Sequence, residues 1–77
     1  MDFLISTKTK QGYIKIGVVT KKDNSLEIDK KVKNEFNNSH DYKKLAYRVN
    51  WMYEENSLRL DFQGSDKKSQ YSIMRMG

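Results

Sequence analysis

Ser39, His40 and Asp41 bring together the side-chain types of a nucleophile, a base and an orienting acid. They are consecutive, however, and neighbouring side chains diverge in any extended or turn conformation, whereas triads are assembled from distant segments. His40 therefore reads as an exposed loop histidine. The carboxylates are scattered, and Glu54-Glu55 fall in a polar cluster where two acids are simply solvated. The four glycines form neither a GxGxxG nor a GxxxxGK arrangement, so no phosphate-cradling loop is encoded. Without cysteine and with one histidine, the chain cannot build a thiolate zinc site. The expectation is a protein that is not an enzyme and uses no metal or cofactor.

Binding chemistry is better represented. Fifteen Lys and Arg against ten Asp and Glu give a net charge of +5, and the pI is near 9.5. Such an excess on a small body favours polyanions, either nucleic acid or an acidic protein surface. Residues 1–25 carry +3, residues 26–38 are neutral and residues 39–77 carry +2. The positive segments are those expected to form strands and loops, which argues against a basic recognition helix entering a major groove. Five residues are expected to project together from one sheet surface: Tyr13, Lys15, Arg48, Asn50 and Arg59. They combine ammonium, guanidinium, amide and aromatic groups, a set able to hold phosphates and stack bases.

The elements that would position them follow from hydrophobic spacing. Phe3, Ile5 and Thr7 alternate along a first strand, Lys10-Gln11-Gly12 makes a turn, and Tyr13 to Thr20 forms a second strand. In that second strand Ile14, Ile16 and Val18 are expected to face inward, and Gly17 to mark a bulge or a close approach. Ile28, Val32 and Phe36, four apart, predict a helix over about 26–38, with Asn24 and Glu27 resembling a capping box. Glu27–Lys31 and Asp29–Lys33 would be its ion pairs.

Leu45, Tyr47, Val49, Trp51 and Tyr53 recur at every second position, and Leu58, Leu60 and Phe62 resume the pattern after Glu54-Glu55-Asn56-Ser57. This predicts a hairpin of strands 45–53 and 58–63, with Trp51 and Phe62 buried. Leu45, Val49, Met52 and Tyr53 also fit helical spacing, with Asp41 as an N-cap, but a helix would expose Tyr47 and Trp51. The strand is preferred because it buries all five large residues on one face. Gly64 to Ser69 reads as a loop, and Tyr71 to Met76 as a terminal strand.

The expected fold is a small α+β domain spanning 1–77, of order β-β-α-β-β-β, with one helix on the apolar face of an antiparallel sheet. A core this thin is one that homodimerisation commonly supports. The opening residues lack the pattern of a signal peptide, no apolar run approaches a membrane span, and the absence of cysteine suits the cytoplasm. The expected function is nucleic-acid binding through the exposed sheet face and first-hairpin loops. The alternative is a protein-binding accessory or inhibitor that uses a sheet face or edge strand.

Overall fold

Alternation builds the first hairpin as the sequence suggests. In a computed structural model, which describes residues 1–65 and 69–77, β1 (Asp2–Thr9) pairs antiparallel with β2 (Gly12–Lys22). Gly12 closes the turn with φ +113°, a backbone region that L side chains rarely adopt. The Thr9 hydroxyl fastens the same turn, donating to the Gly12 carbonyl at 2.8 Å and accepting from the Gln11 N–H at 3.2 Å.

The register slips between Ile5 and Ser6, which face Gly17 and Lys15, so Ile16 has no opposite residue. This is the bulge that Gly17 signals, and it inverts part of the expected parity. Gly17 and Val19, rather than Val18, face the core, Ile16 is half-buried and packs against it, and Ile14 is 52% exposed.

The helix expected over 26–38 is two elements. Leu26 and Ile28 continue the sheet in β3 (Ser25–Ile28), and a short helix α1 (Lys30–Glu35) follows. Asp29 sets the switch: its carboxylate accepts from the N–H of Val32 at 3.0 Å, capping α1, and from the N–H of Val18 at 2.8 Å in the neighbouring strand. These two hydrogen bonds hold its carboxyl below the usual range. Asn24 lies in the β2–β3 turn and caps nothing. Glu27 pairs with Lys22 at 3.5 Å instead of Lys31. The spacing of Val32 and Phe36 was informative, since both are buried.

The largest correction concerns residues 44–55. They belong to a seventeen-residue helix, α2 (Ser39–Glu55), and the predicted strand 45–53 does not exist. Asn38 caps its start by accepting from the Asp41 N–H at 2.8 Å. Asn56, in the left-handed region at φ 57°, caps its end. The polar cluster Glu54-Glu55-Asn56-Ser57 is thus a helix terminus and not a hairpin turn. Leu45, Val49 and Met52 form the buried stripe, while Trp51 stays 42% and Tyr47 70% exposed. Two large aromatics sit in water because side-chain burial on a helix follows period 3.6, and only one of the two competing patterns can be satisfied.

Strand β4 (Arg59–Gln63) forms where expected, but its partner is β5 (Gln70–Met76). Asp66 to Lys68, part of the expected loop, lie outside the described residues. The sheet has five antiparallel strands in the order β3-β2-β1-β5-β4. The α+β class with helical cover on one apolar face is therefore as read, with strands and helices redistributed along the chain. Phe3, Ile5, Val19, Phe62 and Ile73 meet Val32, Phe36, Leu45, Val49 and Met52 in a single cluster.

Two polar ties close this side. Tyr71 joins Phe36 and Phe62 at ring distances of 4.6 and 5.4 Å and donates to Glu35 at 3.0 Å. Burial, then that carboxylate, pushes its phenol up to about 12. Asp41 accepts from the Ser65 N–H and hydroxyl at 3.1 and 3.0 Å, tying the end of β4 to the start of α2.

Candidate functional site

The helices leave the other face of the sheet open. Alternation along β1, β2 and β5 presents Leu4, Ser6 and Lys8, then Tyr13, Lys15 and Val18, then Ser72 and Met74, on that face. On β4 it presents Arg59 and Asp61, because Leu60 and Phe62 turn toward the helices. Tyr13 and Arg59 come from strands separated by β1 and β5, yet their side chains meet over them. The Arg59 guanidinium lies 5.2 Å from the centre of the Tyr13 ring. Asp61 accepts from Arg59 Nε at 3.1 Å and from the Tyr13 hydroxyl at 3.4 Å. Desolvation raises the Asp61 carboxyl, but donors from Arg59 and Ser72 outweigh it and hold the group below its ordinary value. Asp61 in turn raises the Arg59 guanidinium further.

Beside this clasp a groove of about 400 Å³ is lined by Lys8, Tyr13, Gln63, Gln70 and Tyr71. It offers an ammonium, two amides and the exposed Tyr13 ring, with the Asp61 carboxylate also at its wall. Such groups can hold an anion, present hydrogen bonds to a polar planar edge and stack against a ring. Lys15 lies on the same face, opposite Ser6, and borders a separate depression with Lys30 and Lys31.

Of the five residues expected on one sheet surface, the structure brings Tyr13 and Arg59 into contact and keeps Lys15 on their face. Arg48 and Asn50 are not there. Both lie on α2, across the sheet, because the segment they occupy is helical. Arg48 sits with its guanidinium 5.4 Å from the Phe62 ring, and its Nε is enclosed without a hydrogen-bond partner. The Asn50 amide oxygen is likewise enclosed and unpartnered. Ser39, His40 and Asp41 share the first turn of α2, where His40 Nδ1 approaches Asp41 at 3.5 Å and nothing resembles a triad.

Sequence reasoning overlooked the outer side of α2. Tyr47, Arg48 and Trp51 line a second depression, of about 190 Å³, with Leu60 of β4. Leu58, next to β4, is 71% exposed. The spacing Tyr47, Arg48, Trp51 is i, i+1, i+4, and it marks this face once the helix is accepted. Lys8 and the two glutamines of the groove gave no advance signal, since nothing in their types or spacing sets them apart. Among the described residues no cluster of His, Cys, Asp or Glu could hold a metal ion, and no helix is long and apolar enough to cross a membrane.

Protein-family models, curated proteins and solved structures were all compared with this chain, and none matches it.

Proposed function

We propose that the protein is a non-enzymatic module that binds nucleic acid through the helix-free face of its sheet. The carrying observation is the meeting of Tyr13 and Arg59 beside Lys8 and the groove that Lys8 borders. Asp61 neutralises much of Arg59, so the net pull on phosphates comes from Lys8, Lys10 and Lys15, all exposed. Arg59 and Tyr13 contribute a stacked platform of fixed geometry instead. A surface of this kind suits single strands, whose bases are free to stack and whose backbone can track the lysines.

The test is a fluorescence-anisotropy titration with labelled single- and double-stranded oligonucleotides at several salt concentrations. Lys8→Ala and Lys15→Ala should each weaken binding and lower the log–log salt slope by about 0.7 for a single strand. Tyr13→Ala should weaken binding with little change in slope. Arg48→Ala, on the far side of the sheet, should leave binding unchanged. No binding at low salt overturns the reading.

A second reading, a protein partner, is favoured by the exposed aromatics of α2, Tyr47 and Trp51.

A further inference from the structure

The outer flank of α2 combines the side chains that dominate protein interfaces. Tyr47, Trp51 and Arg48 are of the three types most enriched at binding hot spots, and Leu58 and Leu60 extend their apolar surface. Arg48 gives this flank its charge. Among the described residues it has no carboxylate partner, and its Nε is enclosed without an acceptor. A guanidinium stacked on Phe62 and bordered by Tyr47 and Trp51 sits where little water can solvate it, so it favours an incoming carboxylate. The net charge of +5 acts in the same direction at long range.

The flank runs beside a free sheet edge, because β4 is the last strand on its side. Leu58 accepts from the Arg75 N–H at 2.9 Å, and Gly64 donates to the Ser69 carbonyl at 3.0 Å. The even-numbered residues of β4 thus direct their backbone groups to β5, and Arg59, Asp61 and Gln63 direct theirs outward. Both ends of that edge are occupied. The Ser57 hydroxyl donates to the Arg59 carbonyl at 3.3 Å, and the Lys44 ammonium donates to the Gln63 carbonyl. Between them the N–H and C=O of Asp61 remain turned outward, enough to pair with one residue of an added strand.

We propose that an extended, acidic segment of another protein docks here, pairing one residue with the Asp61 backbone and placing a carboxylate against Arg48. The register dictates what that segment carries. The residue opposite Asp61 points to the open face, so its two neighbours point to the helix side, where Arg48, Trp51, Tyr47 and Leu60 wait. One neighbour is Asp or Glu, reaching Arg48. The other is large and apolar, filling the depression between Trp51 and Leu60. The recognised pattern is therefore apolar–any–acidic, in either order. This surface shares no side chain with the proposed nucleic-acid face, and the inference stands independently of that reading.

The experiment is selection of random linear peptides, displayed on phage, against the immobilised protein. Enriched sequences should carry an acidic and a large apolar residue two positions apart. A synthetic peptide of the enriched sequence then serves as the probe. Arg48→Gln and Tyr47→Ala should each weaken it by about tenfold or more, whereas Lys8→Ala should leave it unchanged. Tyr47 is mostly in water, so its variant folds even if Trp51→Ala does not; melting curves confirm this for each variant. Hydrogen exchange of the Asp61 amide should slow when the peptide binds.

Failure to enrich any sequence, or enrichment without an acidic residue, overturns the proposal. So do binding insensitive to Arg48→Gln and an Asp61 amide that exchanges at the free rate. If sedimentation shows a dimer that Tyr47→Ala abolishes, a second copy covers the flank. If Arg48→Gln abolishes oligonucleotide binding, nucleic acid does. Either result also overturns the proposal.

Discussion

The open sheet face and the outer flank of α2 display the same kinds of side chain and treat them in opposite ways. On the sheet, Arg59 is held by Asp61 and laid over Tyr13, so its charge is largely answered within the protein. On the helix, Arg48 is laid over Phe62 and, among the described residues, has no acid beside it. An internally answered cation gives a surface a fixed shape and little pull. An unanswered one, half enclosed by rings, gives strong pull toward a single kind of group. The difference arises from secondary structure. On β4, Arg59 and Asp61 are two apart and share a face, whereas on α2 the acids Glu54 and Glu55 lie more than a turn beyond Arg48.

The strongest way to break the comparison is to remove what both surfaces rest on. Val49 is fully buried where α2 meets the sheet, so Val49→Asp places an unpaired charge in the shared core. The expected cost is several kcal/mol, with loss of the cooperative melt followed by circular dichroism. A folded Val49→Asp variant would mean that α2 is not docked as described.

Gly17→Ala should be the next largest effect. A Cβ there would lie 2.4 and 2.5 Å from the Asp29 carboxylate oxygens, displacing the group that bonds Val18 and caps α1. A loss of about 1–3 kcal/mol is expected, seen as a drop in melting temperature of roughly 4–8 °C per kcal/mol. Lys15 beside the bulge should shift with it, while a peptide bound at Arg48 should not respond.

Acid should loosen the ties that Asp29 and Asp41 make at the starts of α1 and α2. Asp29 and Asp41 are both held below the ordinary carboxyl range, Asp29 chiefly by backbone N–H donors and Asp41 chiefly by Asn38. Groups depressed in the folded state contribute stability that is full above the unfolded value, near pH 4, and is lost as pH falls through the folded values. Melting temperature should therefore fall from about pH 4 downward, and Asp41→Asn should flatten part of that slope. A pH-independent melt through this window would show that neither carboxylate is tied as described.

The smallest effect separates the two arginines themselves. Arg59→Met loses an exposed ion pair and should cost less than about 1 kcal/mol. Arg48→Met keeps the hydrophobic stem over Phe62 and removes an unpartnered guanidinium, so it should be neutral or slightly stabilising. A larger loss at Arg48 than at Arg59, measured by chemical denaturation, would reverse the contrast drawn between them.

The sequence made the sheet legible where strands met short turns. Gly17 announced the bulge, Gly12 the turn, and the alternation in 58–63 and 71–76 marked β4 and β5. It misled where one segment satisfied two periods. Leu45, Val49 and Met52 fit a helix as well as alternation fits a strand, and the strand alone would bury Trp51, which is 42% exposed. The deciding groups were short polar ones at the ends, Asn38 and Asn56, whose capping becomes evident only when the helix is drawn. Ile28, Val32 and Phe36 likewise form one stripe across two elements, because Asp29 breaks the strand between the first and second. Tyr13 and Lys15 were placed by parity alone. Arg59 reached the right face even though its strand pairs with β5 rather than with 45–53, and Arg48 and Asn50 followed the mistaken strand to the wrong side.

The pairing of β1 with β5 sets Asp2 opposite Met76 and Thr7 opposite Tyr71, in the middle of the sheet. Read along the backbone, the domain is a ring whose clasp is hydrogen-bonded rather than covalent. Strand β1 pairs with β5 only after the intervening chain has formed, so closing the middle of the sheet carries a long-loop entropy cost. A short peptide bridge between residues 77 and 1, with the ring reopened in the turn at Asn24, would keep every strand pairing. It would also bring β5 and β1 together as a local hairpin, and such a permuted chain should fold faster than the parent.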